Sequence, residues 1–239
     1  MPSIQKTSSV KWIEVPPGWQ QGEGMIPYEG QTGHMLDWVE NMQGRSSHLF
    51  VHMGQLIVDV VEIDPNAVHQ IGKPGDEIVV VINGALRLTT DATKVEQTFH
   101  VGEMVMFRAG WCGIYRVMSD NGPFRELAIV PHNYFDTSKP LPVSAETPTK
   151  IELPVAPGKR ELFRNTYIVE SEHLNQARSW HISATSDQVL QVLGGKLTLR
   201  AGGEVGNFGT GSVLILPKGF VGEATASAEY RAMTARWNS

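Results

Sequence analysis

The stretch "DEIVVVINGALRL", Asp76 to Leu88, comes back 111 residues later as "DQVLQVLGGKLTL", Asp187 to Leu199. A second pair, "GEMVMFRAGWCG" (Gly102 to Gly113) and "GSVLILPKGFVG" (Gly211 to Gly222), recurs at an offset of 109. Two separate segments at nearly one offset mark an internal repeat, and a repeat means one structural unit used twice. Each copy reads as an apolar strand, a glycine turn, a second strand, then a Gly-bounded strand and another glycine hairpin. The sequence therefore specifies two copies of one small β domain.

The segments around the repeats fit that reading. "SHLFVHMG", "QLIVDVVEI", "EQTFHV", "GIYRVM" and "RELAIVP" are short, rich in β-branched and aromatic residues, and bounded by Gly, Pro, Asn or Asp. Many short strands at this spacing predict a sandwich or barrel. Residues 48–135 are assigned to the first barrel and 162–239 to the second. Residues 1–47, with the Gly/Pro-rich "VPPGWQQGEGMIPYEGQTG", read as an irregular arm. Within it, the spacing of Met35, Trp38, Val39 and Met42 predicts a short helix. Residues 136–161 carry five prolines and read as an extended linker.

Composition narrows the function classes. The net charge is −5 with no Lys/Arg run, which argues against nucleic acid and anionic membrane surfaces as partners. No signal-like segment opens the chain and no apolar run approaches the roughly 18 residues of a membrane span. The single cysteine, Cys112, excludes an internal disulfide and fits a reducing cytoplasm. A cytoplasmic location is therefore expected.

Glu77 to Gly84 forms E-x6-G, and Gly102 to Gly110 forms G-x5-R-x-G. Together they resemble the two sequence motifs of the cupin superfamily. "FRAGWCGIYRV", Phe107 to Val117, is similar to the second motif of the ureidoglycine aminohydrolase-type cupins. The resemblance covers residues 50–130 well and 175–236 more weakly. It implies an all-β chain of two tandem cupin barrels, jelly rolls built as double-stranded β-helices. It also implies a first-motif His-x-His followed by Glu, and a second-motif His. Here the first-motif positions hold Gln70 and Gly72, or Ile71 and Lys73 at the shorter spacing, and the second-motif position holds Gly113. In the second copy His181 and Ser183 precede Gln188, and Gly222 stands at the second-motif position. A first-row metal site needs three or four N/O ligands. Neither copy supplies them at these positions, so no cofactor is expected there.

Two functions follow from these residues. The first is a metal-free pocket in the N-terminal barrel for a small polar or nitrogenous metabolite. Glu77 would be its reactive carboxylate and possible general base, with Trp111, Tyr115, Arg108 and Lys73 around the ligand. Arg108, at a rim, could clamp a carboxylate. The alternative, implied by the resemblance, is an (S)-ureidoglycine aminohydrolase-like enzyme. It would need manganese or another divalent ion on a displaced set: His48, His52, His69 and Glu77. His48 and His52, four apart on a strand, would share a face. Whether the protein is an enzyme stays open between these two. Cys112 reads as a small packed residue, and no Ser/His/Asp arrangement stands out. Edge strands that want covering suggest a homodimer.

Overall fold

The computed structural model describes residues 10–15, 26–29, 33–34, 38–132, 134, 146–152 and 156–238. Every regular element among them is a β-strand. The chain divides into two compact units. One is Gly18–Glu152. The other joins Met1–Pro17 to Leu153–Ser239.

In the unit Gly18–Glu152, two antiparallel sheets face each other. One carries the strands Thr149–Lys150, Met104–Phe107, Glu77–Asn83, Phe124–Pro131, Leu56–Ile63, Arg45–Met53 and Ile26–Glu29, in that order. The other runs Glu96–His100, Ala85–Thr90, Cys112–Met118, Val68–Gly72, Trp38–Gln43 and Gly33–His34. Alternate residues enter the space between them: Val79, Val81, Leu86, Leu88, Val105, Phe107, Tyr115, Val117 and Ala128 are all buried there. This period-2 alternation is what a half-buried strand requires. The second unit repeats the plan. Its larger sheet runs Ile13–Val15, Val213–Leu216, Gln188–Gly194, Tyr230–Trp237, Tyr167–Leu174 and Gly158–Arg164. Its smaller sheet runs Arg178–Ser183, Val221–Ala226, Lys196–Ala201 and Glu204–Gly209. The architecture is all-β, two jelly-roll barrels in tandem.

The region 1–47 is not an irregular arm where it is described. Ile13–Val15 pairs with Val213–Leu216 as an outer strand of the second barrel's larger sheet. Trp38–Gln43 is a strand paired with Val68–Gly72, where a short helix was expected. The helical spacing rested on four residues, one of them aromatic and one β-branched. Such residues suit a strand once a partner edge is offered. In the presumed linker, Thr149–Lys150 adds to the first barrel's edge and Gly158–Arg164 to the second's. The rest of that segment lies largely outside the described residues.

The repeat is visible in backbone hydrogen bonds. The Lys73 amide donates to the Trp111 carbonyl, and the Gly110 amide to the Lys73 carbonyl. In the second barrel the Ala184 amide donates to the Phe220 carbonyl, and the Gly219 amide to the Ala184 carbonyl. Lys73 and Ala184 are therefore equivalent, as are Trp111 and Phe220. A shared capping device matches too. The Asp76 carboxylate accepts from the Ala109 amide at 3.0 Å, and Asp187 accepts from Lys218 at 2.8 Å.

Candidate functional site

Glu77 opens its strand opposite Phe107 and points with Val79 and Val81 into the barrel. Its Oε2 receives the Lys73 ammonium at 2.7 Å and the Tyr134 hydroxyl at 2.8 Å. Lys73 and Glu77 are each 1% exposed. The ammonium also lies 4.9 Å from the Phe107 ring centroid and 5.4 Å from that of Tyr115. Aromatic faces attract a cation, the more so when water is absent. This barrel therefore carries its own cation beside Glu77.

The expected pocket residues are brought together, but they fill the space. Trp111 is 0% and Tyr115 2% exposed. The Trp111 indole donates to Thr90 Oγ1 at 3.0 Å, and its ring packs edge-on to Phe107. The Tyr115 hydroxyl donates to Glu126, a buried inward carboxylate that the sequence reading passed over. Tyr134 lies against Gly75, where an added Cβ would come within 2.7 Å of its ring. Arg108 stays at the rim, a third exposed, 3.3 Å from Asp76. Its guanidinium engages a carboxylate of the protein itself. Cys112 is half-buried, its thiol directed at the Gly110 carbonyl.

The displaced histidine set does not converge. Among the described residues no three His, Cys, Asp or Glu side chains stand close enough to share a metal ion. Phe50 opposes Asp59, yet His52 opposes Val58, because the register shifts between Phe50 and His52. A bulge inserts one residue and turns the following side chains to the other face. His48 and His52 therefore do not share a face. His48 Nδ1 is 2.6 Å from Asp59, and its Nε2 is 3.3 Å from Ser46. Ser46, His48 and Asp59 form a buried hydrogen-bonded series that no motif announced. It occupies both ring nitrogens. His69 is buried opposite Tyr115, on the sheet that faces the one carrying Glu77.

The donor set around Glu77 and Gly113 does not fit a first-row metal. One carboxylate is already neutralised by an ammonium, and Gly113 leaves no room for a histidine. A Cβ there would lie 2.2 Å from the Thr89 carbonyl oxygen and 2.7 Å from the Trp111 ring. Gly222 is crowded in the same way by the Arg200 carbonyl and Phe220.

The second barrel differs at the same place. A cleft of about 350 Å³ opens at its mouth. Arg236, Gln188 and Leu216 form one cross-strand row of its wall, and Glu170, Thr234 and Leu190 the next. Glu170 is 3.0 Å from Lys159 and 3.5 Å from Arg236. His181, the ligand-like histidine of the sequence reading, is largely exposed, 3.6 Å from Glu223. Glu170 and Arg236 carried no motif. Extending the repeat to the last strand would have found Arg236, since it aligns with the interior Val130.

No protein-family model matches the chain, and no curated protein matches it in sequence. Solved structures do. Protein Ylba from E. coli superposes with a TM-score of 0.62 at 10% identity, over 96% of this chain and 92% of that one. AerE from Microcystis aeruginosa gives 0.56 at 13% identity, over 90% and 97%. A cupin 2 conserved barrel domain protein from Leptotrichia buccalis gives 0.57 at 9% identity, over 83% and 90%. At such identities the likeness is one of fold. The chain has the two-barrel cupin fold. No helix among the described residues is long and apolar enough to cross a membrane.

Proposed function

We propose that this protein is a small-molecule-binding cupin that works without a histidine-ligated metal. One observation carries the reading: the Lys73 ammonium at a first-motif position, 2.7 Å from Glu77. Burying an ion pair removes two charges from water, and apolar residues of like volume are often as stable or more so. A buried pair in a barrel centre is thus a functional-site candidate on physical grounds. Lys73, Glu77 and Tyr115 form the polar seat, with Trp111 as its wall and Arg108 at its rim. The seat is closed by Tyr134. A small polar metabolite reaches it by displacing the Tyr134 hydroxyl from Glu77 and taking up the same hydrogen bonds.

The test is a thermal-shift screen of small polar and nitrogenous metabolites, with and without manganese. The reading expects hits that need no metal and that vanish in Glu77→Gln. Hits that require manganese, or that ignore Glu77→Gln while spectra show the variant folded, contradict it.

A further inference from the structure

We propose that the protein pairs with a second copy of itself through one edge strand of the C-terminal barrel, Arg178–Ser183. This strand ends its sheet and is hydrogen-bonded on one side, to Val221–Ala226. Its counterpart in the first barrel is Val68–Gly72, since Lys73 and Ala184 are equivalent. That counterpart is paired on both sides, with Cys112–Met118 and with Trp38–Gln43. Trp38–Gln43 leads directly into Arg45–Met53. In the second barrel the strand before Gly158–Arg164 is Thr149–Lys150, which pairs with Met104–Phe107 of the first barrel instead. Among the described residues no strand covers Arg178–Ser183.

The ladder fixes which groups are left over. The Ala184 amide bonds to the Phe220 carbonyl, so alternation puts Ile182 and Trp180 in the bonded pairs with Gly222 and Ala224. The N–H and C=O groups of Ser179, His181 and Ser183 therefore point off the edge, and no described residue bonds them. Their equivalents Val68, Gln70 and Gly72 face Gln43, Asn41 and Trp38. Open edges are usually blunted by charge or proline. The outer strand Gly158–Arg164 is blunted in this way by Lys159, Arg160, Glu161 and Arg164. Arg178–Ser183 has one fixed charge, at its first residue, and no proline.

The strand is complementary to itself. Two copies placed antiparallel about a two-fold axis at His181 set Ser179 opposite Ser183 and Trp180 opposite Ile182, each twice. Arg178 meets Ala184, so no fixed like charges face each other. The three outward residues of each copy fall in facing pairs that exchange both N–H···O bonds. A patch that is its own partner is what a two-fold dimer requires, and adding a strand to an open edge is a recurring mode of association.

The cleft beside this edge supplies room for the contact. Trp180 and Ile182 stand in its wall. In the first barrel Met42, from the covering strand, lies opposite His69 and packs against the core. Trp180 is the equivalent of His69, and in the dimer the copy's Ile182 takes the place of Met42.

Sedimentation equilibrium over a concentration series tests the proposal. The expected mass at the upper end is two chains, each of 26.3 kDa. The amides of Ser179, His181 and Ser183 should gain hydrogen-exchange protection as concentration rises, and those of Glu204–Gly209 should not. His181→Pro removes an outward N–H and leaves the ladder with Val221–Ala226 intact. It should weaken association about tenfold or more. Ser179→Lys with Ser183→Lys should do the same, because like charges then stand opposite. Ser179→Lys with Ser183→Glu should restore association, since the register pairs position 179 with position 183. This pair of double variants serves if His181→Pro fails to fold. A mass of one chain at every concentration overturns the proposal. So does a dimer indifferent to these variants, or one in which both double variants behave alike.

Discussion

The two barrels share a backbone plan and differ in what fills it. Both fix the same turn with an aspartate, Asp76 in one and Asp187 in the other. Both place an aromatic residue over a crowded glycine, Trp111 over Gly113 and Phe220 over Gly222. In the first barrel Lys73, Glu77, Phe107 and Tyr115 pack the centre around an internal charge pair. In the second, Ala184, Gln188, Leu216 and Ala224 leave an open mouth. Turns and glycines set the fold, and a few interior side chains decide whether a repeat is sealed or accessible.

The largest expected effect breaks the charge pair. Lys73→Ala leaves Glu77 buried beside no ammonium, and stability should fall by about 3–5 kcal/mol in denaturant titration. The double change Lys73→Met with Glu77→Leu should recover most of that loss, since matched apolar volume replaces both charges. If the single and double variants are equally unstable, the pair is not the source. Next comes the glycine comparison. Gly113→Ala should cost roughly 1–3 kcal/mol, as overpacking usually does. Gly222→Ala should cost less, because its new Cβ meets the Arg200 carbonyl at 2.8 Å where Gly113's meets Thr89 at 2.2 Å. Thermal melts of both variants check the order.

A third contrast is in pH. Burial, and then the charge of Glu172, push the Tyr230 phenol well above the ordinary 10.0. A group that holds its proton more tightly when folded adds stability below its unfolded pKa. That stability is lost as pH rises past it. The second barrel should weaken above about pH 10, and Tyr230→Phe should remove that part of the loss. The smallest effects come from the shared device. Asp76→Ala and Asp187→Ala each remove one backbone hydrogen bond and should each cost on the order of 1 kcal/mol. Asp76→Ala should exceed its counterpart, because it also frees Arg108. Equal losses would mean that the Arg108 contact contributes nothing.

How legible was this in the sequence? The repeat alone gave the all-β tandem, because strand, glycine turn and hairpin recur at nearly fixed offsets. The crowding at Gly113 was not legible, since it comes from the Thr89 carbonyl oxygen and from the Trp111 ring folding back over it. Lys73 and Glu77 were legible as neighbours at i, i+4. Tyr134 was not, because its partner Glu77 is far away in the chain, and Glu126 and Ser46 were not, because only the strand pairing brings Glu126 to Tyr115 and Asp59 to the His48 that Ser46 contacts. The bulge between Phe50 and His52 was invisible to a count of spacings, and it put His48 and His52 on different faces. The strand Trp38–Gln43 was misread as a helix because its partner, Val68–Gly72, supplies the pairing that its own pattern does not announce.

The most direct test of the account is the metal content of untagged protein, before and after titration with manganese, measured by plasma mass spectrometry beside Glu77→Gln. A lysine standing in the metal's place predicts only trace divalent ion, no uptake on titration and no difference between the two proteins. One tightly held ion per chain, released by Glu77→Gln, would contradict it.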